Sequence, residues 1–124
     1  MIFVKKTPSS WGILGLGRHA RRTMIPAFKQ AQGVSLKAVA SISATSVGQS
    51  ASPLRLPEEC RLLGSYAELI ADDSIDFVYL ALPNHLHAHW SKEALRAGKH
   101  VLCEKPAALN LSEITDVLTD AQTH

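Results

Sequence analysis

Cysteine is scarce in this sequence, and the two present, Cys60 and Cys103, form neither a C-x-x-C motif nor a metal-ligand spacing. This scarcity predicts no disulfide, as is usual in the reducing cytoplasm. An excess of one charge is lacking too: the formal net charge is +2, and no clustered basic face indicates a nucleic-acid partner. The longest apolar run, around residues 77–82, is far below the ~20 residues of a membrane-spanning helix. We therefore expect a cytoplasmic protein that binds neither nucleic acid nor membrane.

The residues that are present describe an ordinary globular domain. Hydrophobic residues make up 46% and charged residues 19% of the 124, a balance that excludes a disordered chain. We expect a disordered or extended segment over residues 1–10, whose apolar stretch is too short for a signal peptide. One domain is expected over residues 11–124.

Apolar runs and helical patterns alternate along the chain. Strands are predicted at residues 11–15, 34–42, 61–64, 75–82 and 99–104, with a loop holding at most one weak helical turn at 43–57. Helices are predicted from Arg18, with a kink at Pro26 and a second short helix after it, from Ser65 to Asp72, from Asn84 to Gly98, and from Asn110. This alternation predicts an α/β fold, a Rossmann-type doubly wound parallel sheet of about five strands.

Polar residues mark three of the predicted helix starts. Ser65 with Glu68 fits a capping box, in which each residue hydrogen-bonds the backbone of the other. Asn110 with Glu113 marks the last helix in the same way, and Asn84 is predicted as an N-cap.

The segment "GILGLGRHA" carries the spacing G-x-G-x-x-A between a predicted strand and a predicted helix. Gly15 allows a tight turn, Gly17 lets the backbone approach a pyrophosphate, and Ala20 lets the helix pack against the strand. The helix N-terminus and Arg18 would add positive charge for phosphates. The loop therefore predicts a dinucleotide site, and the open alternative is a glycine turn that only joins strand to helix. Arg21 and Arg22 are expected to be solvated helix surface.

The end of the second predicted strand, "ASISATS", lacks the acidic residue that usually holds an adenosine ribose. No Asp or Glu occurs from Ala38 to Ser52, and Ser41 and Ser43 are small hydrogen-bonding groups there. Because no carboxylate would repel a 2′-phosphate, the strand end favours NADP over NAD. A ribose pocket that binds poorly is the other interpretation.

Three histidines, His85, His87 and His89, are candidate metal ligands. On the predicted helix only His85 and His89 share a face, and no third ligand is evident. We expect no metal site.

Four segments together resemble the N-terminal domain of the Gfo/Idh/MocA family of glucose–fructose oxidoreductases and inositol dehydrogenases. They are "GILGLGRHA", "GSYAELIADDSIDFVYLALPNHLH", "ALRAGKHVLCEKP" and "ALNLSE", in the family's order. The run Glu104-Lys105-Pro106 after residues 97–101 is the most specific of these features. The resemblance covers residues 11–123 and is weakest at 43–60. It implies an NAD(P)-dependent oxidoreductase acting on sugars, polyols or their derivatives.

The resemblance also implies roles for individual residues. The implied catalytic residues are Lys105, near nicotinamide and substrate, and His87, which matches a histidine frequent in the family. Glu104 would accept hydrogen bonds from the nicotinamide ribose, and the Lys105–Pro106 bond is expected to be cis. Because NADP-using relatives often carry an arginine near Ile42, its absence counts against NADP. The remaining implied cofactor-binding residues are Gly15, Leu16, Gly17, Arg18, His19, Ser41, Ile42, Ser43, Leu82, Pro83 and Asn84.

Members of the family continue, as the resemblance implies, into a second domain that completes the substrate pocket. We therefore expect a fragment that binds a dinucleotide but is inactive alone, with a sugar-like substrate bound only with the second domain. An uncovered docking surface would favour self-association, so a homo-oligomer is one expected outcome. Two alternatives stay open: a stand-alone dinucleotide-binding sensor or partner subunit, and a scaffold that binds no nucleotide.

Overall fold

Five parallel strands form one sheet in the computed structural model, which describes residues 7–42 and 54–124. The strands are β1 (Ser9–Leu14), β2 (Val34–Ala40), β3 (Arg61–Leu63), β4 (Phe77–Leu80) and β5 (His100–Cys103). Their order across the sheet is β3-β2-β1-β4-β5, and every neighbouring pair is parallel. The helices are α1 (Ile25–Gln30), α2 (Tyr66–Ile70), α3 (His87–Arg96) and α4 (Leu111–Thr123). The Rossmann-type fold is thus confirmed. From β1 at the centre, β2 and β3 are added on one side of the sheet, and β4 and β5 on the other.

Strand β1 begins two residues earlier than the apolar run predicted. Ser9 pairs with Val34 and Ser10 with Ser35, and the Ser9 backbone N–H donates to the Gly33 carbonyl oxygen at 2.9 Å. Polar residues can extend a strand at the end of a sheet, and a search for apolar runs does not detect them. The predicted segment 1–10 therefore contributes its last two residues to the sheet.

The helix after the glycine loop passes through Pro26 without the expected break. A π-helical turn, Ala20–Met24, leads directly into α1. The Ile25 N–H donates to the Ala20 carbonyl, five residues back. Pro26 lies in the first turn of α1, directly after the π-helical turn, and has no N–H to donate to a carbonyl of that turn. The second short helix is confirmed, and the predicted kink is replaced by the wider turn.

Both faces of the sheet are covered by apolar side chains. Val78 and Leu80 of β4 pack on the side of α2 and α3, whereas Tyr79 between them packs on the side of α1. Helix α2 lies so close to β1 that a Cβ on Gly12 would come within 2.6 Å of Leu69. Packing on both faces holds the central strands in place and so fixes the positions of their carboxyl ends.

The helix caps differ from prediction at one position. Ser65 and Asn110 accept hydrogen bonds from the Glu68 and Glu113 backbone N–H groups, at 3.3 and 2.9 Å, as predicted. Asn84 is not an N-cap: it opens a 3-10 turn, Asn84–Leu86, and α3 begins only at His87. The turn moves Asn84 off the helix and onto the sheet's carboxyl edge.

Strand β5 is only partly covered. His100 and Leu102 are exposed, while Val101 and Cys103 are half-buried. The reason is position, because β5 is the edge of the sheet among the described residues. Leu109, Leu111 and Leu118, in and before α4, are also exposed large apolar side chains.

Candidate functional site

Two adjoining cavities open at the carboxyl ends of the strands, one on each side of the loop that follows β1. The β2-side cavity, of about 460 Å³, is lined by Gly15, Leu16, Gly17, Arg21, Ser41, Ile42, Tyr66, Ala81, Leu82, Pro83 and Leu86. The β5-side cavity, of about 360 Å³, is lined by Gly17, Arg18, His19, Ala20, Ala81, Leu82, Asn84, His87, Glu104 and Lys105. Gly17, Ala81 and Leu82 belong to both. Such a crevice between the ends of adjacent strands is where ligands bind in open α/β sheets.

Gly15 makes the tight turn that starts the loop. Its φ is +99°, in the left-handed region, and its N–H donates to the Ala40 carbonyl oxygen at 2.8 Å. A Cβ at this position would lie well inside van der Waals contact of the Ala81 carbonyl oxygen. Only glycine meets both requirements, so Gly15 brings the ends of β1, β2 and β4 together.

Gly17 faces open space. No heavy atom lies within 4 Å of the place where its Cβ would be. Ala20, by contrast, is fully buried against the sheet. The loop therefore exposes backbone at Gly17 to both cavities, while the small side chain of Ala20 allows the helix to pack closely.

Arg21 differs from the prediction that it is solvated surface. Its side chain is half-buried, lines the β2-side cavity and donates through Nε to the Leu16 carbonyl oxygen at 2.8 Å. Arg22, the next residue, is exposed as predicted. Arg18 and His19 are exposed on the loop and line the β5-side cavity.

The end of β2 supplies Ser41 and Ile42 to the β2-side cavity. Ser41 is buried, and its backbone N–H donates to the Leu63 carbonyl oxygen at 2.9 Å. Ile42 is 72% exposed. The predicted Ser43 lies outside the described residues. No carboxylate occurs among the described residues that line this cavity.

Tyr66 is a lining residue of the β2-side cavity that sequence reasoning missed. Its ring packs edge-on against Trp90, with centroids 5.2 Å apart, and burial raises the pKa of its phenol. The signal available in the sequence was its place directly after the Ser65 cap, which starts α2 beside the end of β2.

The segment after β4 separates the two cavities. Leu82 lines both, Pro83 lines the β2-side cavity, and Asn84 lines the β5-side cavity. All three predicted residues therefore lie at the crevice, but they face different halves of it.

Glu104 is held by two partners in the β5-side cavity. The Tyr79 hydroxyl donates to its Oε1, and His19 Nε2 lies 3.3 Å from the same oxygen. The Tyr79 hydrogen bond, followed by the proximity of His19, lowers the pKa of Glu104 below its usual range. Burial, then the Glu104 hydrogen bond, raises the pKa of Tyr79. Glu104 is therefore held in place by these partners and is not a freely solvated strand end.

Tyr79 was missed because its contact depends on register. It lies inside a buried strand and is 2% exposed, so its sequence position indicates core. It pairs with Leu102 across β4 and β5, which brings its hydroxyl to the end of the next strand. Nothing local in the sequence places it within reach of Glu104.

His87 is buried, at 1% exposure, and connects α3 to the turn after β5. Its Nδ1 lies 2.7 Å from the Pro106 carbonyl oxygen. Because a carbonyl only accepts, Nδ1 carries the proton, and in the neutral ring Nε2 is an acceptor. Nε2 is buried without a hydrogen-bond partner among the described residues, and His87 lines the β5-side cavity. Lys105, beside it, is exposed, and its bond to Pro106 is cis as expected.

The other histidines do not join this cluster. His85 and His89 are exposed and line neither cavity. Among residues 7–42 and 54–124, no group of three or more His, Cys, Asp or Glu side chains is placed to hold a metal ion. Over the same part of the chain, no helix is long and apolar enough to cross a membrane.

Comparison with known proteins gives consistent matches. The GFO_IDH_MocA family, described as an oxidoreductase family with an NAD-binding Rossmann fold, matches residues 9–124. The chain is 41% identical over 108 residues to an uncharacterised oxidoreductase of Rhizobium meliloti, covering 87% of this chain and 31% of that one. It is 41% identical over 107 residues to D-xylose 1-dehydrogenase (NADP(+)) 2 of Haloferax volcanii, covering 86% and 32%.

Solved structures agree with this match. KijD10, a 3-ketoreductase from Actinomadura kijaniata in complex with TDP-benzene and NADP, superposes with a TM-score of 0.82 at 30% identity. The superposition covers 94% of this chain and 36% of KijD10. The chain thus spans about a third of the length of the relatives it matches.

Proposed function

The chain belongs to the Gfo/Idh/MocA oxidoreductase family, as its NAD(P)-binding Rossmann domain, and we propose that its protein transfers hydride between a nicotinamide cofactor and a sugar, polyol or related substrate. The observation that carries the proposal is the shared wall of the two cavities. Gly17 and Leu82 connect the glycine loop on one side with Glu104 and Lys105 on the other. A dinucleotide has two such halves joined by a pyrophosphate.

The residues present fit that ligand. The open space at Gly17 lets a pyrophosphate approach backbone N–H groups at the start of a helix, with Leu16, Arg18 and His19 around it. We place the adenosine half in the β2-side cavity, beside Ser41, Ile42 and Pro83. The nicotinamide half then lies in the β5-side cavity, with Leu82 and Asn84 along its wall. There Glu104 is a fixed acceptor for ribose hydroxyls.

NADP fits the β2-side cavity better than NAD. A carboxylate would repel a 2′-phosphate, and none of the described residues lining this cavity is acidic. The similar D-xylose dehydrogenase is named for NADP(+), and KijD10 was solved with NADP bound. Both names describe relatives, and they support the same preference here.

When bound, the nicotinamide would supply hydride exchange with a substrate carbon. In the reducing direction the substrate's carbonyl oxygen must also gain one proton to become a hydroxyl. We assign that proton to Lys105 Nζ, which lines the β5-side cavity; in the oxidising direction the same atom takes the proton back. His87 acts beside it, with Nε2 accepting a hydrogen bond from the nicotinamide half of the cofactor.

The substrate class rests on the relatives' names, which include sugar dehydrogenases and reductases. Because this chain spans about a third of those proteins, we propose that turnover needs residues beyond the ones described here. Dinucleotide binding needs none of them.

Calorimetric titration with NADPH and with NADH tests the proposal. We expect saturable binding of one nucleotide per chain, and titration without heat or saturation for both would favour the scaffold alternative. Lys105→Ala should leave the dissociation constants within a few-fold. In the protein that carries out turnover, the same change should lower kcat by about 10²- to 10⁴-fold, the usual contribution of a positioned acid or base. An unchanged kcat would remove Lys105 from the mechanism.

A further inference from the structure

One charged side chain, Arg21, lines the β2-side cavity among the described residues. Arg21 lies in the first helical turn after the glycine loop, and its backbone N–H donates to the Gly17 carbonyl oxygen at 3.1 Å. Its place in the sequence predicted a solvated surface residue, and neither hydride exchange nor proton transfer at Lys105 involves it. A half-buried cation on the wall of a ligand cavity calls for a ligand with complementary charge.

The orientation of Arg21 is fixed by one hydrogen bond. Its Nε donates to the Leu16 carbonyl oxygen at 2.8 Å, which holds the guanidinium against the loop. Arg21 forms no ion pair with a carboxylate among the described residues. Because a guanidinium has five N–H donors, this bond leaves donors that can bind an anion in the cavity.

The rest of the cavity wall matches a phosphate beside a ribose. Ser41 and Ile42 end β2 on the same cavity, so a hydroxyl and an exposed apolar side chain stand where an acidic residue would otherwise hold the ribose. A fixed guanidinium with no acidic side chain among the described residues of its cavity suits a phosphate monoester, which arginine binds through paired N–H donors.

We propose that Arg21 recognises the 2′-phosphate of NADP. The proposal rests on the proposed dinucleotide function and adds the group that selects between the two nucleotides. Ile42, directly after β2, carries no charge, so the charge would come from the helix after the glycine loop.

Calorimetric titration of Arg21→Gln with NADPH and NADH tests this assignment. We expect NADPH to bind about 10- to 100-fold more weakly, the usual effect of losing hydrogen bonds to a charged group. NADH should bind within about 3-fold of the unchanged protein, because it has no group for Arg21 to hold. Arg22→Gln is the matched control: it removes the same charge from an exposed neighbour, and both nucleotides should bind as before.

The outcomes separate the two proposals. Equal weakening of NADPH and NADH in Arg21→Gln would place Arg21 on a part that both nucleotides share, such as the pyrophosphate, and would overturn the assignment. Unchanged NADPH binding would overturn it as well. If the unsubstituted chain binds neither nucleotide, the proposed function itself fails. Should Arg21→Gln not fold by circular dichroism, Arg21→Met keeps the aliphatic stem and gives the same affinity ratio.

Discussion

The two cavities share a wall but differ in their chemistry. Among described residues, the β2-side cavity is lined mainly by small and apolar groups with a single charge, Arg21. The β5-side cavity collects five side chains that are charged or can titrate, Arg18, His19, His87, Glu104 and Lys105. The hydrogen bond between Glu104 and Tyr79 lowers the pKa of Glu104, and burial, followed by the same hydrogen bond, raises the pKa of the Tyr79 beneath it. The first cavity is therefore suited to recognition, and the second to moving protons and charge.

The difference has a source in the fold. The β2-side cavity receives the hydroxyl residue Ser41 directly after β2, whereas the β5-side cavity receives a carboxylate, an imidazole and an ammonium group from the turn after β5 and from α3. Gly17 of the loop lines both cavities, as do Ala81 and Leu82 after β4. Changes at this shared wall should affect both halves together, and changes at residues that line one cavity should affect one half.

Gly15→Ala should have the largest effect, because Gly15 brings the ends of β1, β2 and β4 together beside both cavities. The left-handed φ costs about 1–2 kcal/mol for a residue with a Cβ. Contact with the Ala81 carbonyl adds about 1–3 kcal/mol, as overpacking does. Urea unfolding should show this loss, and affinity for NADPH and NADH should fall equally. Gly17→Ala is the control: its Cβ meets open space, so stability should stay within about 0.5 kcal/mol while binding weakens. A stable Gly15→Ala variant that binds normally would contradict this account of the loop.

His87→Asn should weaken binding of the nicotinamide half of the cofactor only. The asparagine amide can take the place of Nδ1 and keep the bond to the Pro106 carbonyl, but it has no group at the place of Nε2. NADPH and NADH should bind about 10-fold more weakly, the value of one hydrogen bond of about 1–1.5 kcal/mol. Binding of 2′,5′-ADP, which lacks the nicotinamide half, should not change. Equal weakening of 2′,5′-ADP would show that His87 acts by supporting the fold of the whole crevice.

Much of this arrangement could be predicted because it depends on local signals. Alternating strand and helix patterns gave the parallel sheet, Ser65 and Asn110 capped the expected helices, and Gly98 adopts the positive φ expected of a helix stop. The glycine spacing placed Gly15 and Gly17 correctly at the loop.

The features that the sequence did not predict depend on the helical phase of side chains and on the register of paired strands. Arg21 lies in the π-helical turn, where steps of five residues alter which side chains face the sheet edge, and Pro26 suggested a break instead. The contact of Tyr79 with Glu104 joins residues 25 apart through the pairing of β4 with β5. Asn84 left the predicted helix because a 3-10 turn precedes α3. Such details arise from tertiary packing, which the pattern of one segment does not record.

Tyr79→Phe should have the smallest effect on cofactor binding at neutral pH and a clear effect on it at acidic pH. Under the proposed function Glu104 accepts hydrogen bonds from ribose hydroxyls, and it accepts them more strongly as a carboxylate, so binding should be strongest above its pKa and weaken as pH falls through it. The Tyr79 hydrogen bond is the largest cause of the lowered pKa of Glu104, so its removal should raise that pKa. The stability that the carboxylate contributes is present above its unfolded pKa and is lost as pH falls through its folded pKa. In Tyr79→Phe both losses should begin at a higher pH, while phenylalanine keeps the core volume filled.

Titration with acid-stable NADP⁺ between pH 4 and 8 measures the shift, and 2′,5′-ADP should give the same pH profile in both proteins. Superimposable NADP⁺ profiles would show that Glu104 does not hold the nicotinamide ribose, and the β5-side cavity would then lose its role in binding that half of the cofactor.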